Sequence, residues 1–370
     1  MASQTVRVNA DCAAATVTAI VPTYSNPDYL KRCLSAFAAS VQGVDGVDLL
    51  VIDNSPERDQ PIVRSVVENA GNPLVKYVAI APEGLMVARH VGAAQATGEV
   101  LAFLDDDSLV RPGWCDAVKA AFSTPSLGIA AGRCLPLFEA EPPAWLDSFW
   151  SESDGARCLT HLSLLDCGPD PVGLPPGWCA LGCNMAVRTG LFFEARGTHP
   201  DYLPHPYAAY QGDGEAAVGV KLEALGFPTL YVPDMAIDHC VPAKRMTRQY
   251  FGDRAFFNGL HTEFTQIRRA YGLGPLKGVR ALSNPPSGFS RRLLRKVRGL
   301  PRRAIGRVKA LPPQGGQAPD VHEWVNSRFL EGRLFLREAV AADPELLAYV
   351  LRPDYMGDNA RLPQRPQGDV

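Results

Sequence analysis

The chain has 370 residues and a formal net charge of −2, with 46% hydrophobic and 21% charged residues. This length and composition predict a globular protein with one larger α/β domain and an appendage. The near-neutral charge argues against nucleic acid as a partner. The sequence has no run of about 18 apolar residues, which argues against a membrane-spanning helix.

Cysteine usage and the N-terminus point to a reducing compartment. The nine cysteines are irregularly spaced and mostly lie in apolar surroundings, as buried free thiols often do. The first residues, MASQTVRVNADC, lack the basic and then apolar pattern of a secretory signal. We therefore expect a cytoplasmic protein.

The first 110 residues alternate between strand and helix patterns. Short apolar runs rich in β-branched residues predict strands at residues 17–22, 48–52, 75–80 and 100–104. Apolar residues at helical spacing predict helices at residues 27–41, 61–70 and 84–97. This alternation predicts a mostly parallel sheet flanked by helices. Ligands bind at the carboxyl ends of strands in such sheets, so polar residues that follow the strands are the first site candidates.

The rest of the chain changes character twice. Residues 136–210 are rich in Pro, Gly and Trp, and helices are predicted at 214–226 and 245–271. We predict one α/β domain over residues 1–275, a basic Pro/Gly-rich linker over 276–320 and a helical C-terminal tail over 321–370.

Residues 291–309 carry nine Lys or Arg residues and no acid. This segment is either solvated or in peripheral contact with the inner face of a membrane, because its apolar residues alternate with arginines as in interfacial segments.

The run LAFLDDD at residues 101–107 delivers three consecutive carboxylates from a buried strand. Such a cluster is electrostatically costly, so a cation is expected beside it. Mg²⁺ or Mn²⁺ is typically held by one or two carboxylates together with substrate phosphates. The alternative is an Asp-rich turn, since Asp is common at strand exits.

The neighbouring motifs resemble those of a known family. They are IVPTYSNPDYLKRCLSAF near the start, LLVIDNS, ARHVGAAQATGEVLAFLDDDSLVRPGW, GCNMAVR and GDGEAAVGVKLEALGFPTLYVPDMAIDH. In this order and spacing they are similar to the inverting GT-A glycosyltransferases of family 2, over about residues 16–260. The resemblance implies a GT-A fold, a Rossmann-like α/β architecture, with a hexosyltransferase-type activity.

The resemblance also implies a donor pocket for a nucleoside diphosphate sugar. Pro22, Thr23 and Tyr24 should line the nucleobase pocket, with Tyr24 stacking on the base. Asp53 should accept a hydrogen bond from the base, which favours UDP; the alternative for Asp53 is a turn or cap residue. Arg89 should lie near the base or pyrophosphate, and its alternative is a solvated arginine on a helix face.

The resemblance implies the metal ligands too. The outer pair Asp105 and Asp107 matches the family's DXD motif, with Asp107 favoured for direct metal contact. Asp105 and Asp106 should also reach the ribose and sugar. His239 matches a histidine that often adds a metal or phosphate contact, although a core histidine is the alternative. Arg245 should face the diphosphate and stabilise charge on the leaving group.

The catalytic base departs from the family pattern. The family usually supplies it from the second residue of a Glu-Asp pair at a helix start, and here that position is Glu215, preceded by Gly214. Asp213 remains a second candidate. Either acid has a structural alternative as a first-turn residue favoured by the helix dipole. His90 also departs, because the family often has asparagine there.

The sequence therefore predicts metal-assisted, inverting transfer of a sugar to an acceptor hydroxyl. The acceptor is left open between a glycan, a lipid-linked intermediate, a peptide and a small molecule. Trp145, Trp150 and Trp178 are either acceptor-stacking or core residues. The rival interpretation is a non-catalytic nucleotide-sugar or glycan-binding protein with a degenerate GT-A site. Nucleotidyl transfer is disfavoured because PTYSNPDYLK is not a Gly-rich loop.

Overall fold

A computed structural model describes residues 15–81, 84–153, 155–174, 178–198, 207–210, 214–272 and 320–352 of the chain. The chain divides into two compact units. The first unit takes its described residues from 15–198 and 214–243, and the second takes them from 207–210 and 244–352.

The first unit contains one mixed sheet and six helices among its described residues. Its strands are β1 (Val17–Thr23), β2 (Val47–Asp53), β3 (Val75–Ala79), β4 (Val100–Leu104), β5 (Ser108–Val110), β6 (Ile129–Phe138), β7 (Ser151–Ser153), β8 (Ala156–Leu159), β9 (Leu164–Asp166), β10 (Val172–Gly173), β11 (Asn184–Arg188) and β12 (Leu230–Val241). Its helices are α1 (Pro27–Ser40), α2 (Gln60–Ala70), α3 (Leu85–Gln95), α4 (Trp114–Phe122), α5 (Thr189–Glu194) and α6 (Gly214–Ala224).

The N-terminal part of the sheet is the parallel sheet that the sequence predicts. Strands β3, β2, β1 and β4 lie side by side in that order, and each neighbouring pair is parallel. In this register Thr23 is the partner of Asp53 at the ends of β1 and β2. The polar residues that follow β1, β2 and β4 therefore meet at one edge of the sheet.

The later strands bring distant residues to the same edge. Strand β11 lies antiparallel between β4 and β6, with Asn184 opposite Leu104, so the residues that precede β11 reach the end of β4. Strand β12 is parallel to β6 and antiparallel to β5, with His239 opposite Ser108. The start of β11 and the end of β12 thus flank the aspartates that follow β4.

The predicted α/β fold with a mostly parallel sheet, flanking helices and a helical C-terminal extension is confirmed. The sequence did not reveal β5, β6, α4 or the short strands β7 to β10. Strands of three or four residues show too few alternations for a period to be recognised. Strand β12 also has a register shift between Val232 and Ala236, which breaks its pattern.

The second unit is helical in its described part. Its helices are α7 (Arg248–Ala270), α8 (Val321–Ala342) and α9 (Pro344–Val350). Its core is an apolar cluster formed by Leu260, Phe264, Ile267, Leu336, Leu346 and Val350. None of the helices seen in the described residues is both long and apolar enough to cross a membrane.

The predicted division at residues 275 and 320 stays a prediction. Most of the linker, the basic segment 291–309 and the end of the tail lie outside the described residues.

Candidate active site

Three acidic side chains follow β4 directly, and two of them converge with a histidine. Asp107 is only 4% exposed, whereas Asp105 and Asp106 are partly buried. One carboxylate oxygen each of Asp105 and Asp107 and one ring nitrogen of His239 all lie within 4.8 Å of one another. Carboxylate oxygens with one imidazole form a donor set that suits Mn²⁺. The residues present therefore fit a divalent cation.

The hydrogen bonds of His239 aim one ring nitrogen at this cluster. Its Nδ1 lies 2.9 Å from the carbonyl oxygen of Leu162, and its Nε2 lies 3.2 Å from Asp107 Oδ1. A carbonyl oxygen only accepts, so Nδ1 carries the proton that it donates. In the neutral ring, Nε2 then presents its lone pair to the cluster, which is the arrangement that orients metal-binding histidines.

Asp106 is held by Thr23, the last residue of β1, and by Asn26 in the loop after it. The hydroxyl of Thr23 donates to its Oδ2 at 2.6 Å, and the side-chain amide of Asn26 donates to its Oδ1 at 3.0 Å. Burial raises the pKa of Asp106 to about 7, and the neighbouring carboxylates of Asp107 and Asp105 add to that rise. Burial likewise raises the pKa of Asp105. Both shifts arise first from burial, and a cation beside the two carboxyls would oppose them.

Arg89 joins the aspartates to the predicted base. It lies on α3, is 1% exposed, and its guanidinium donates to Asp105 Oδ1 at 2.9 Å and to Glu215 Oε1. Burial by itself would lower the pKa of Arg89, but the carboxylates of Glu215 and Asp105 raise it overall. The alternative of a solvated arginine on a helix face is therefore wrong.

The surroundings of Gly214, the residue before Glu215, leave no room for the acid that the resemblance leads one to expect there. A Cβ atom added to Gly214 would lie 2.6 Å from the Cβ of Thr198 and 3.0 Å from the Sδ of Met86, so no side chain fits there. A Cβ atom on Gly182, just before β11, would collide with the Glu215 carboxylate. Glu215 thus lies directly over the backbone of Gly182 at the first turn of α6.

Asp53 occupies the end of β2 with both oxygens already engaged. Its Oδ1 accepts from the backbone N–H of Ser55 at 2.9 Å, and its Oδ2 accepts from the hydroxyl of Tyr77 at 2.6 Å. The side chain is fully buried. Part of its role is therefore the turn-forming one that the sequence left as an alternative, and a nucleobase must share or displace the hydroxyl of Tyr77 to reach it.

The remaining predicted residues lie in different surroundings. Pro22 is buried within β1, whereas the ring of Tyr24 is 57% exposed and open to stacking. Arg245 is partly buried and ends a short 3-10 helix, Ala243–Arg245, before α7. Asp213 lies outside the described residues. The roles predicted for these four residues stay predictions.

Sequence reasoning missed several groups that complete the site. These are Asn26, which holds Asp106; Tyr77, which holds Asp53; Gly182, beneath Glu215; and the carbonyl of Leu162, which orients His239. Asn26 was visible in the loop after β1 and could have been found as a polar residue at a strand exit. A backbone carbonyl and a strand tyrosine leave no comparable trace in a sequence.

The fold and the cluster together define an α/β protein with a candidate divalent-metal site at its strand ends. Residues 18–170 match the family model described as "Glycosyl transferase family 2".

Similar proteins are the succinoglycan biosynthesis protein ExoM of Rhizobium meliloti, which is 27% identical over 73% of this chain and 81% of ExoM, and the glycosyltransferase AglE of Haloferax volcanii. AglE is 24% identical over 32% of this chain, which spans only 38% of AglE. Among solved structures, the mannosyltransferase PcManGT from Pyrobaculum calidifontis has a TM-score of 0.49 at 16% identity, over 90% of each chain.

Proposed function

We propose that this protein transfers a hexose from a nucleoside diphosphate, UDP first, to an acceptor hydroxyl with inversion at the anomeric carbon. The observation that carries the proposal is the convergence of Asp105, Asp107 and His239 beside the pair formed by Arg89 and Glu215. A cation-binding cluster and a carboxylate base are the two parts that such a displacement requires. The names of ExoM and AglE, a glycan biosynthesis protein and a glycosyltransferase, support it.

Asp105, Asp107 and His239 are the proposed metal ligands. A bound Mn²⁺ or Mg²⁺ supplies Lewis-acid stabilisation of the diphosphate leaving group. We favour Mn²⁺, because the imidazole nitrogen of His239 is a ligand that Mg²⁺ seldom takes. Leu162 keeps Nε2 of His239 facing the site by holding the proton on Nδ1.

Glu215 is the proposed general base. As the acceptor oxygen forms its bond to the anomeric carbon and the bond to the diphosphate oxygen breaks, the acceptor proton passes to Glu215. Its ion pair with Arg89 limits the rotation of the carboxylate. Because Arg89 also holds Asp105, we propose it as a positioning residue that sets the distance between the base and the metal ligands.

Uracil is the proposed base of the donor. The N3–H of uracil is a donor that suits the Asp53 carboxylate. The exposed ring of Tyr24, which follows Thr23, the partner of Asp53 in the strand register, offers a stacking surface. The hydroxyl of Tyr77 donates to the same carboxylate, so the base must share that oxygen with it or displace it. The uracil assignment predicts that UDP binds more tightly than GDP and that Asp53→Asn reduces this preference.

The second candidate function is a nucleotide-sugar or glycan-binding protein without turnover. Two observations favour it: Gly214 replaces the usual first acid, and Arg89 occupies one oxygen of Glu215. A cytoplasmic location with contact to the inner membrane face through residues 291–309 remains part of either proposal.

Two measurements on the full chain separate these functions. Isothermal titration with UDP, and with GDP as the comparison, is made with and without Mn²⁺. Hydrolysis and transfer are then followed by mass spectrometry over a panel of UDP-sugars. Metal-dependent UDP binding with hydrolysis of a donor supports the transferase. Metal-dependent binding without turnover of any donor and acceptor supports the binding protein, and absence of metal-dependent nucleotide binding contradicts both.

A further inference from the structure

A row of aromatic rings includes Trp145, which the sequence left as either an acceptor-stacking or a core residue. The ring of Trp145 meets the ring of Phe149 with centroids 5.7 Å apart at 83°, and Phe149 meets the ring of His161 at 5.6 Å and 75°. Trp145 and Phe149 belong to a 3-10 helix, Ala144–Phe149, and His161 belongs to a second one, Thr160–Leu162. We call these three residues the aromatic row.

The aromatic row is not the hydrophobic core of its segment. All three rings are partly exposed, whereas Leu146 and Leu162, from the same two 3-10 helices, are only 1% exposed. The leucines therefore supply the burial that holds the segment on the sheet. Large rings left at a surface, in edge-to-face contact that limits their motion, are a feature of ligand-binding surfaces.

Two hydrogen bonds tie the segment of the aromatic row to the active site. The carbonyl of Leu162, next to His161, accepts from Nδ1 of His239. The carbonyl of Ser163 accepts from the thiol of Cys183 at 3.6 Å, and Cys183 follows Gly182, over which the Glu215 carboxylate lies. The turn that carries the last ring thus contacts both the metal-ligand side and the base side of the site.

Position and chemistry together restrict what binds there. An acceptor hydroxyl must reach the sugar carbon between the metal ligands and Glu215, so the rest of the acceptor must extend over a surface that adjoins both. A pyranose ring has an apolar C–H face that stacks on aromatic rings, with hydroxyls at its rim for polar contacts. A peptide backbone or a phosphate headgroup has no such face.

We propose that the aromatic row binds a pyranose ring of the acceptor, so that the acceptor is a carbohydrate or a glycoside. This inference rests on the proposed glycosyl transfer. It extends that proposal by naming the acceptor class and three residues, Trp145, Phe149 and His161, that recognise it.

The test compares wild type with Trp145→Ala and Phe149→Ala. The probes are neutral gluco-, galacto- and mannooligosaccharides, a mixed peptide pool and phosphatidylglycerol vesicles. Trp145→Ala should raise KM for the accepted saccharide about tenfold and weaken its binding, seen by saturation-transfer NMR, by a similar factor. The donor KM and the rate of donor hydrolysis without acceptor should stay within about twofold. Trp145→Phe should restore most of the lost affinity.

Phe193→Ala is the matched control, because Phe193 is also a partly exposed aromatic and lies on α5, after the end of β11 that pairs with the start of β4. It should leave saccharide binding unchanged. The inference is wrong if no saccharide binds the wild type, if a peptide or the vesicles are the acceptor, or if Trp145→Ala keeps full saccharide affinity. Absence of donor hydrolysis in every variant contradicts the proposed transferase instead, and the NMR binding data then still decide the role of the aromatic row.

Discussion

Two regions of this protein bury carboxylates in opposite ways. After β4, Asp105 and Asp106 have pKa values raised by burial and by neighbouring carboxylates. In the helical unit, Glu263 is 5% exposed, and it accepts from Arg337 Nε at 2.7 Å and from Arg333 Nε at 3.0 Å. In the first region three adjacent aspartates lie beside the single guanidinium group of Arg89, which pairs with Asp105. In the second region one carboxylate, that of Glu263, pairs with two guanidinium groups.

The difference separates a binding site from a structural contact. Glu263 on α7 accepts hydrogen bonds from Arg333 and Arg337 on α8, so its charge is neutralised within the protein and serves the packing of the two helices. Asp105 and Asp107 form, with His239, a cluster that fits a divalent cation, and we propose that their charge serves a ligand. Substitutions in the two regions should therefore differ in kind: loss of ligand in one and loss of stability in the other.

The largest expected effect is that of Asp107→Asn. The amide keeps the shape and the contact with His239 but removes the charge that a cation needs. We expect Mn²⁺-dependent donor binding to disappear and transfer to fall by about 10⁴-fold. The unfolding midpoint of the metal-free protein should not fall, because one of several crowded charges is removed. Titration calorimetry and thermal unfolding measure the two effects.

Asp238→Asn is the control for this prediction. Asp238 precedes His239 on β12 but pairs with Arg111 at the surface, at 2.6 Å. Its substitution should leave donor binding within about twofold. A clear drop in the stability of metal-free Asp107→Asn would show that this carboxylate, like Glu263, is structural.

Glu215→Gln should have the next largest effect. The amide cannot take the acceptor proton, so transfer should fall about 10³-fold while donor binding is retained. Steady-state transfer and calorimetric donor binding test this, with Glu223→Gln, an exposed acid on the same helix, as the control. Full transfer activity in Glu215→Gln would remove the base assignment, and a loss in Asp213→Asn would then identify the other candidate.

Glu263→Gln should lower stability and leave ligand binding intact, the opposite of what we expect for Asp107→Asn. Two guanidinium groups lose their anionic partner, so the free energy of unfolding should fall by about 2 kcal/mol, with Mn²⁺-dependent donor binding unchanged below the transition. Urea denaturation measures it. Glu331→Gln on α8 is the control, because the side chain of Glu331 is 38% exposed and its partner Arg328 also pairs with Asp253; it should change stability by less than about 0.5 kcal/mol. Equal effects of the two variants would contradict the view that Glu263 is a buried structural charge.

The smallest effect concerns a buried group that is uncharged. His90 accepts from the backbone N–H of Thr198 at 3.1 Å, and burial lowers its pKa from 6.5 to about 3, with the nearby Lys221 adding to the shift. Between pH 6.5 and about 3, His90 is therefore protonated in the unfolded chain and neutral in the folded protein. The contribution of His90 to stability is fully present above pH 6.5 and is lost as the pH falls towards 3.

His90→Asn should flatten the dependence of the unfolding midpoint on pH in this range, measured from 6.5 downwards. An unchanged slope would mean that the acid sensitivity of the fold arises from other groups.

Local patterns predicted the scaffold well. The strands and helices up to residue 104 lie within a few residues of their predicted positions, because their apolar periods are regular and their ends are marked by Pro, Gly and Asp. The aspartates after β4 were placed at a strand end for the same reason, and their role as metal ligands stays a prediction. The segment between β6 and β11 escaped, since its short strands carry no clear period.

The sequence by itself determined that the first hundred residues form parallel strands alternating with helices, and that the aspartates lie at a strand end. Only the tertiary structure decided that Arg89 bridges Asp105 to Glu215, which lies 126 residues further along the chain, and that Leu162 orients His239. The physical reason is range. Periodicity and capping are properties of neighbouring residues, whereas the partner of a buried charge depends on which distant strands and helices pack beside it.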